Sequence, residues 1–483
     1  EEIMAEMTKE ILAGKLQGLG LEKGDKVLLH SSYLSLGGVQ GGPEKVIDAF
    51  LDVLGSEGTL LVPVFGALGV LTEVLKKRSD ALIDPCPVGT LAAIGKDAAT
   101  LLNDHWKADT AHGKDTPFTR LADMDGYICL MGVDQDRNTT LHGVEALLEL
   151  PYLKETSASF TLPTGENIEK SWKYYPGPHR DFIGIDRYFR ESGKMKINRI
   201  GNAQVRLIKA KDLFEISLAL GKKDPAFVLC DNPQCADCVK QRAAIFADKM
   251  AKESFTLSVS SRLAGRYIPE MVENLQKAGI KHIELDYLQG KACAFLPEAK
   301  LKKAVEELSE EGINVTALSV DVLPDDMVSF LAKVKNAAIT ALILPMYAVA
   351  EAEMAVKEDL KVFFRNNNET AKRFSALLAS FNEKSEAKAC FNPAGFVKAN
   401  ERPFLGSYRI GRFIKSIGQL DINDAKWDGA ACALTRGNGE IKELISILRC
   451  HNFAGVFTLG GGCVYDGTFA DAVKDFENML ENM

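Results

Sequence analysis

Apolar residues along this chain fall into short runs of strand length, and helical spacings lie between them. KVLLH at residues 26–30, GTLLVPVF at 58–65 and GYICLMGV at 126–133 are such runs; the last is apolar throughout, as in a strand buried on both faces. Between the first two, Val46, Ile47, Phe50, Leu51 and Leu54 recur at intervals of three and four before Gly55, which predicts an amphipathic helix and its stop. The rhythm of strand, loop and helix makes the front half α/β. After the polar stretch ADKMAKE at residues 247–253, eight apolar runs follow at short period: FTLSVS, HIELDY, NVTALSV, TALILPM, KVFFRNN, AKACFNP, IGQLDIND and GVFTLGG. Each leads into a helical pattern. Eight βα units in this length predict a (β/α)8 TIM-like barrel, with an open doubly wound sheet as the alternative. The expected division is a domain at residues 1–250 and a barrel at 251–483.

Composition narrows the functional classes. Lys+Arg 58 against Asp+Glu 66 gives a net charge of −8, which argues against broad, non-specific nucleic-acid binding, and no nucleic-acid partner is expected. The most apolar stretch, residues 60–71, contains Pro63, Gly66 and Gly69 and falls short of the ~20 residues that span a bilayer. No membrane association is expected. The acidic start lacks a signal-peptide pattern, and ten cysteines are scattered through a long chain, which fits a cytoplasmic protein with free thiols.

The sharpest chemistry lies in NTTLHGVE, residues 138–145. His142 and Glu145 are three apart and share a helix face just beyond a buried strand. A carboxylate beside an imidazole fixes its tautomer and stabilises its protonated form, as a general base requires; a surface ion pair is the plain alternative. Asn138 or Thr139 is the expected N-cap. The Gly-rich stretch HSSYLSLGGVQGGP, residues 30–43, lets backbone approach a ligand closely, but on its own an ordinary loop is the better reading of it.

Seven stretches in order carry a family likeness: HSSYLSLGGVQGG, GSEGTLLVP, GTLAAIGKDAATLL, HGKDTPFTRL, MGVDQDRNTTLHGVE, GPHRDF and RIGNAQVRLIKAKDLFEI. The first ~230 residues resemble the aminoglycoside 3-N-acetyltransferase family, distinct from GNAT acetyltransferases. The resemblance implies an α/β sandwich and an acetyl-CoA-dependent N-acetyltransferase acting on a small-molecule amine. His142 would be the base and Glu145 its orienter. His30, Ser31, Ser32, Gly37, Gly38, Gly41 and Gly42 would line the CoA channel, with Thr116, Pro117 and Phe118 opposite. His179 and Asp181 would close the acceptor pocket. Thr139 or backbone N–H groups could serve a developing oxyanion. Two departures stand out. Cys86 takes the place of a family histidine, and the acidic, substrate-facing segment is shortened to GALG before LTEVLKKR, so an amino sugar or smaller metabolite competes with an aminoglycoside as acceptor.

Cys230, Cys235 and Cys238 in CDNPQCADC have metal-ligand spacing. A structural zinc is one reading, with Asp231, Asp237, a distant Cys or a His as fourth ligand; an iron–sulfur site or free thiols are others. The second domain resembles xylose-isomerase-like sugar isomerase/epimerase barrels through AGIKHIELDY, FNPAGF, IGQLDIND and GNGEIKELISILRCHNFAGVFTL. At the family's metal positions stand Arg365, Asn392, Asp421 and Gly460, with Asn366 and Asn367 beside the first. Glu284, Asp286, Asp421 and Asp424 are the remaining anionic candidates. The expectation is a barrel without that metal chemistry, which binds a sugar-like ligand through Arg365 or residues 436–439 or serves as a structural partner. A bifunctional enzyme, or a protein that only binds ligands, is the alternative. Homo-oligomerisation stays open.

Overall fold

The computed structural model describes residues 7–66, 69–176, 179–409, 411 and 413–483. The acidic start at residues 1–6, Ala67 and Leu68 of GALG, and Gly177 and Pro178 of GPHRDF lie outside the described residues. The chain forms two compact units, Glu1–Gln241 and Arg242–Met483.

The first unit is built on a seven-stranded sheet. Its strand order is Leu82–Ile83, Leu91–Gly95, Thr59–Pro63, Lys26–Ser31, Tyr127–Met131, Ala203–Lys209 and Lys196–Ile200. The three central strands are parallel, pairing Val27 with Leu60 and Leu29 with Cys129. All five residues of Thr59–Pro63 are buried, as are the last four of Tyr127–Met131, which is why these segments read as continuous apolar runs. The helix Glu44–Leu54 buries Val46, Ile47, Phe50 and Leu54 and connects the first two parallel strands.

The strand–loop–helix rhythm does not extend through the whole half. The flanking pairings are antiparallel, and Lys154–Thr161 pairs with Asn167–Tyr174 as a separate hairpin. Its exposed and half-buried residues alternate with few apolar side chains, so it carries little hydrophobic signal.

The second unit is a closed barrel of eight parallel strands. They are Thr256–Ser260, His282–Leu285, Asn314–Ser319, Ala341–Pro345, Lys361–Arg365, Ala387–Phe391, Ile417–Ile422 and Val456–Leu459. A helix follows each strand. Phe364, Phe391, Phe457 and Phe476 belong to one continuous core. Among the described residues, no helix is long and apolar enough to cross a membrane.

Candidate active site and a cysteine–histidine cluster

A cavity of about 1040 Å3 opens at the carboxyl ends of the three parallel strands. Leu29–Ser32, Val62, Pro63, Gly132 and Val133 come from those ends, and Thr139, His142, Tyr175 and Phe182 complete the wall. This is where an open α/β sheet offers a crevice, because successive chains turn away in different directions.

His142 projects from the helix Thr140–Leu147. Its Nδ1 lies 2.6 Å from Glu145 Oε2, which makes Nδ1 the protonated nitrogen and leaves the Nε2 lone pair toward the cavity. Tyr175 stacks on the imidazole with ring centroids 3.3 Å apart and planes 3° from parallel, and Phe182 meets its edge. Burial lowers the His142 pKa; Glu145 pulls it back up, and the net value stays below the usual 6.5. The imidazole is therefore neutral and basic at neutral pH.

Glu145 is fully buried and well partnered. Its Oε1 accepts from Tyr152 Oη and from Arg180 Nε, each at 2.6 Å. Burial alone would raise this carboxyl, but His142 and Arg180 outweigh it and hold it ionised. Arg180 in turn donates to the carbonyls of His179 and Pro176 at 2.6 and 3.1 Å.

Three buried polar atoms here have no partner: His30 Nε2, Thr139 Oγ1 and His112 Nε2. The first two belong to residues that line the cavity. An unpaired buried polar group costs free energy unless something meets it, so these atoms suit a ligand. Burial drives His30 down to about 3, which keeps it neutral. Thr139 occupies the N-cap position without a capping bond, whereas Asn138 Oδ1 accepts from the Thr140 N–H at 3.3 Å.

Other expected site residues lie elsewhere. Ser31 and Ser32 line the cavity, but Gly37, Gly38, Gly41 and Gly42 are not among its lining. Gly37, at φ +85°, sits so close to the Asn202 side chain that a Cβ would come within 2.5 Å of it. Thr116, Pro117 and Phe118 are also away from the lining. Thr116 Oγ1 donates to Gly113 O at 2.6 Å, Pro117 begins a helix, and Phe118 packs against His112 at 4.7 Å. They brace the wall from behind. Cys86 is buried beside Asp84, whose Oδ2 is 2.5 Å from His105 Nδ1; His105 Nε2 donates to Ala111 O. That histidine has both nitrogens engaged by acceptors, and its pKa reaches about 10 against the effect of burial.

Asp181 and His179 do not face the cavity either. Asp181 caps the helix Phe182–Glu191, accepting from Gly184 N at 3.1 Å. His179 Nδ1 lies 3.3 Å from Cys235 Sγ, 3.3 Å from Cys238 Sγ and 4.0 Å from Cys230 Sγ. Of the fourth ligands expected for the cysteines, a histidine is the one whose ligand atom joins them. Sequence reasoning missed Arg180, Tyr152 and Tyr175. Arg180 was adjacent to a chosen histidine, but it meets Glu145 across 35 residues, which no local spacing reveals.

The centre of the barrel carries a second buried ionic cluster. Arg365, at the end of its strand, donates from Nε and Nη2 to Asp421 at 2.7 and 3.0 Å, from Nη2 to Glu284 at 2.8 Å and from Nη1 to Ser319 at 2.5 Å. Gln419 adds a donor to Glu284 at 2.6 Å. Asp286 accepts from the Ser260 and Ser261 hydroxyls, both at 2.7 Å, and Asp424 from the N–H groups of Gly437 and Gly439 at 2.9 and 2.7 Å. All four acidic candidates are thus taken up by this chain's own donors.

Comparison with known proteins places the first unit. The family described as aminoglycoside 3-N-acetyltransferase matches residues 28–68 and 66–220. Aminoglycoside N(3)-acetyltransferase IX of Micromonospora chalcea is 30% identical over 263 residues, 44% of this chain and 92% of that protein. Aminoglycoside N(3)-acetyltransferase VII of Streptomyces paromomycinus is 29% identical over 265 residues, 44% of this chain and 91% of that protein. Among solved structures, the aminoglycoside acetyltransferase AAC(3)-IVa apoenzyme is 26% identical with a TM-score of 0.44, covering 49% of this chain and 97% of its own. AAC-IIIb, solved as a binary complex with CoASH, is 24% identical with a TM-score of 0.42, covering 45% and 98%. By these relatives the chain belongs to the aminoglycoside 3-N-acetyltransferase family and is an acetyltransferase.

Proposed function

We propose that the first unit transfers an acetyl group from acetyl-CoA to an amine of an aminoglycoside, an amino sugar or a related small metabolite, with His142 Nε2 as general base. The observation that carries this reading is the neutral imidazole at the cavity wall. It is locked through Nδ1 by an ionised Glu145 and stacked on Tyr175.

The thioester supplies an activated acyl group, and the chain's own residues do the rest. An alkyl amine is mostly protonated at neutral pH, so attack needs a base to take up its proton. As His142 accepts that proton it becomes an imidazolium, which Glu145 stabilises through the existing Nδ1 hydrogen bond; the carbon–nitrogen bond forms, the carbon–sulfur bond of the thioester breaks, and the CoA thiolate leaves, taking its proton from the imidazolium or from solvent. Arg180 and Tyr152 keep the carboxylate from turning away. The Thr139 hydroxyl, buried and unpaired in a residue that lines the cavity, would donate to the oxygen that gains charge once it turns toward the substrate. No covalent enzyme intermediate is needed. The cavity and its orphaned Thr139 and His30 atoms fit acetyl-CoA and an acceptor, with Ser31 and Ser32 at the wall.

A thiol-release assay with acetyl-CoA against a panel of aminoglycosides, amino sugars and small amines tests the reading. His142→Ala should lower kcat by about 10²–10⁴-fold while acetyl-CoA binding by calorimetry stays within about twofold. Turnover retained in that variant would remove His142 from the role.

For the barrel, we infer a ligand-binding or structural partner rather than a second, metal-dependent isomerase. The support is Arg365, whose guanidinium sits between Glu284 and Asp421 where a cation would have to go. Sugar isomerisation by residues 242–483 that responds to added divalent metal would overturn this.

A further inference from the structure

We propose that His179, Cys230, Cys235 and Cys238 hold one zinc ion, and that this ion fastens the segment that positions the catalytic base. The four ligand atoms all lie within 4.8 Å of one another. In a tetrahedral site, Zn–S of about 2.3 Å and Zn–N of about 2.0–2.1 Å put ligand atoms roughly 3.5–3.8 Å apart. The His179 Nδ1 separations of 3.3, 3.3 and 4.0 Å straddle that range. Three thiolates and an imidazole form a closed, four-ligand set, which is the structural kind. An iron–sulfur cluster would need its ligands spread around several atoms, and this set closes around one.

Local structure prepares the site. Cys235 N–H donates to Asn232 O at 3.0 Å, and a tight turn brings Cys230 back toward the helix Ala236–Ala251. Cys235 immediately precedes that helix and Cys238 lies in its first turn, so the helix start holds two of the four ligands close together. Cys238 is fully buried, so the cluster closes off its own inner side. The fourth ligand comes from far along the chain: His179 is 51 to 59 residues from the cysteines. Its backbone N–H also reaches Asp237 Oδ2 at 3.3 Å.

The consequence lies one residue further on. Arg180, next to the fourth ligand, donates through Nη1 to the His179 carbonyl at 2.6 Å and through Nε to Glu145 at 2.6 Å. Pro176 O accepts from both Arg180 Nη2 and Gln241 Nε2, each at 3.1 Å, and Tyr175, just before it, stacks on His142. An ion that fixes His179 therefore holds the adjacent Arg180, whose Nε grips Glu145 and whose Nη2 reaches the carbonyl of Pro176, next to the Tyr175 that stacks on the imidazole. His179 is a positioning residue, not a catalytic one. This coupling rests on the reading of His142 as base; the metal site itself does not.

The test has two independent readouts on the full-length chain. The first is metal content. Protein purified without chelator should carry about one zinc per chain, and His179→Ala and Cys235→Ser should fall below about a tenth of an equivalent. Replacing zinc with cobalt in the wild-type chain should give the intense visible bands of a tetrahedral thiolate site. Wild-type protein that is folded, with reduced thiols, yet binds neither ion would overturn the site, whatever the variants do. The second readout is kinetic. His179→Ala should lower kcat about tenfold or more with the KM for acetyl-CoA near normal, and His179→Cys, which restores a four-ligand set, should recover both zinc and kcat. Full activity in zinc-free His179→Ala, or zinc without activity in His179→Cys, would overturn the coupling and leave the metal site standing. If the wild type binds zinc but acetylates nothing in the panel, the acetyltransfer reading fails instead.

Discussion

Each unit of this chain buries an arginine against carboxylate, and the two burials do opposite things. In the first unit one carboxylate, Glu145, is shared between the Arg180 guanidinium and the His142 imidazole. Charge is balanced, and one nitrogen of the imidazole is left over at a cavity. In the barrel two carboxylates, Glu284 and Asp421, enclose one guanidinium, and a serine and a glutamine take the remaining contacts. The Cys390 thiol also donates to Asp421, at 3.3 Å, so both carboxylates are fully engaged by this chain's own donors. Buried ionic groups are therefore weak evidence for chemistry on their own. What separates a catalytic cluster from a structural one is a lone pair or proton with no internal partner, aimed at space a substrate can enter.

The sharpest way to break this comparison is to remove the arginine of the barrel. Arg365→Met should destabilise the chain by roughly 3–5 kcal/mol in urea unfolding, because Glu284 and Asp421 lose their partner while buried. Specific acetyl-transfer activity of the protein that remains folded should be close to wild type. A loss of less than about 1 kcal/mol would mean that the barrel centre is not held by this ion pair.

The corresponding change in the first unit should leave stability less affected and catalysis more. Glu145→Gln cannot stabilise an imidazolium, and its amide can turn an N–H toward Nδ1 and reverse the tautomer. We expect kcat to drop by about 100-fold or more, with unfolding free energy changed by less than about 2 kcal/mol. Equal losses of stability and activity would make Glu145 the same kind of group as Asp421.

A smaller effect should appear in the pH profile. With His142 as the proposed base, the working form is the neutral one, so the rate should rise with pH through its pKa, which lies below 6.5. The wild-type kcat/KM should therefore be on its plateau by pH 7. Glu145 raises the His142 pKa, so Glu145→Gln should move the acid limb to still lower pH. A limb that moves up would contradict the hydrogen-bonded pair.

The two clusters also differed in how much of them the sequence exposed. The barrel was legible strand by strand, since most of each strand is buried and its apolar residues cluster: TALILPM contains Ala341–Pro345, with every residue buried. Arg365 and Asp421 stood out through the resemblance, at the family's metal positions, although that they grip one another across 56 residues was not legible. In the first unit the i, i+3 rule brought out His142 and Glu145 because both sit on one helix. Arg180 and Tyr175 escaped because their contacts are tertiary. His179 was assigned to the pocket by its neighbours in sequence, whereas its side chain turns to the cysteines; strand and helix periods say nothing about which way a loop residue points. The residues at 116–118 show the same limit, as packed wall rather than cavity lining.

The smallest expected effect concerns how closely the barrel's charges balance. Two carboxylates around one guanidinium carry one negative charge too many. Burial, opposed by Arg365 and helped by Asp421, raises Glu284 from 4.5 to about 7. The folded chain then binds more protons than the unfolded one between those two values. Stability from this group is complete below pH 4.5 and is lost as pH rises toward 7 and beyond. The melting temperature of the barrel should drift down by a few degrees across pH 5–8 from this source, on top of other groups. Glu284→Gln removes the titrating proton, keeps an acceptor for Arg365 Nη2 or Gln419 Nε2, and should flatten that drift. The variant should gain on the wild type most at pH 8 and least at pH 5. A difference that stays constant across pH 5–8 would mean that Glu284 is ionised throughout, and that the barrel centre keeps an unspent negative charge where a cation could still bind.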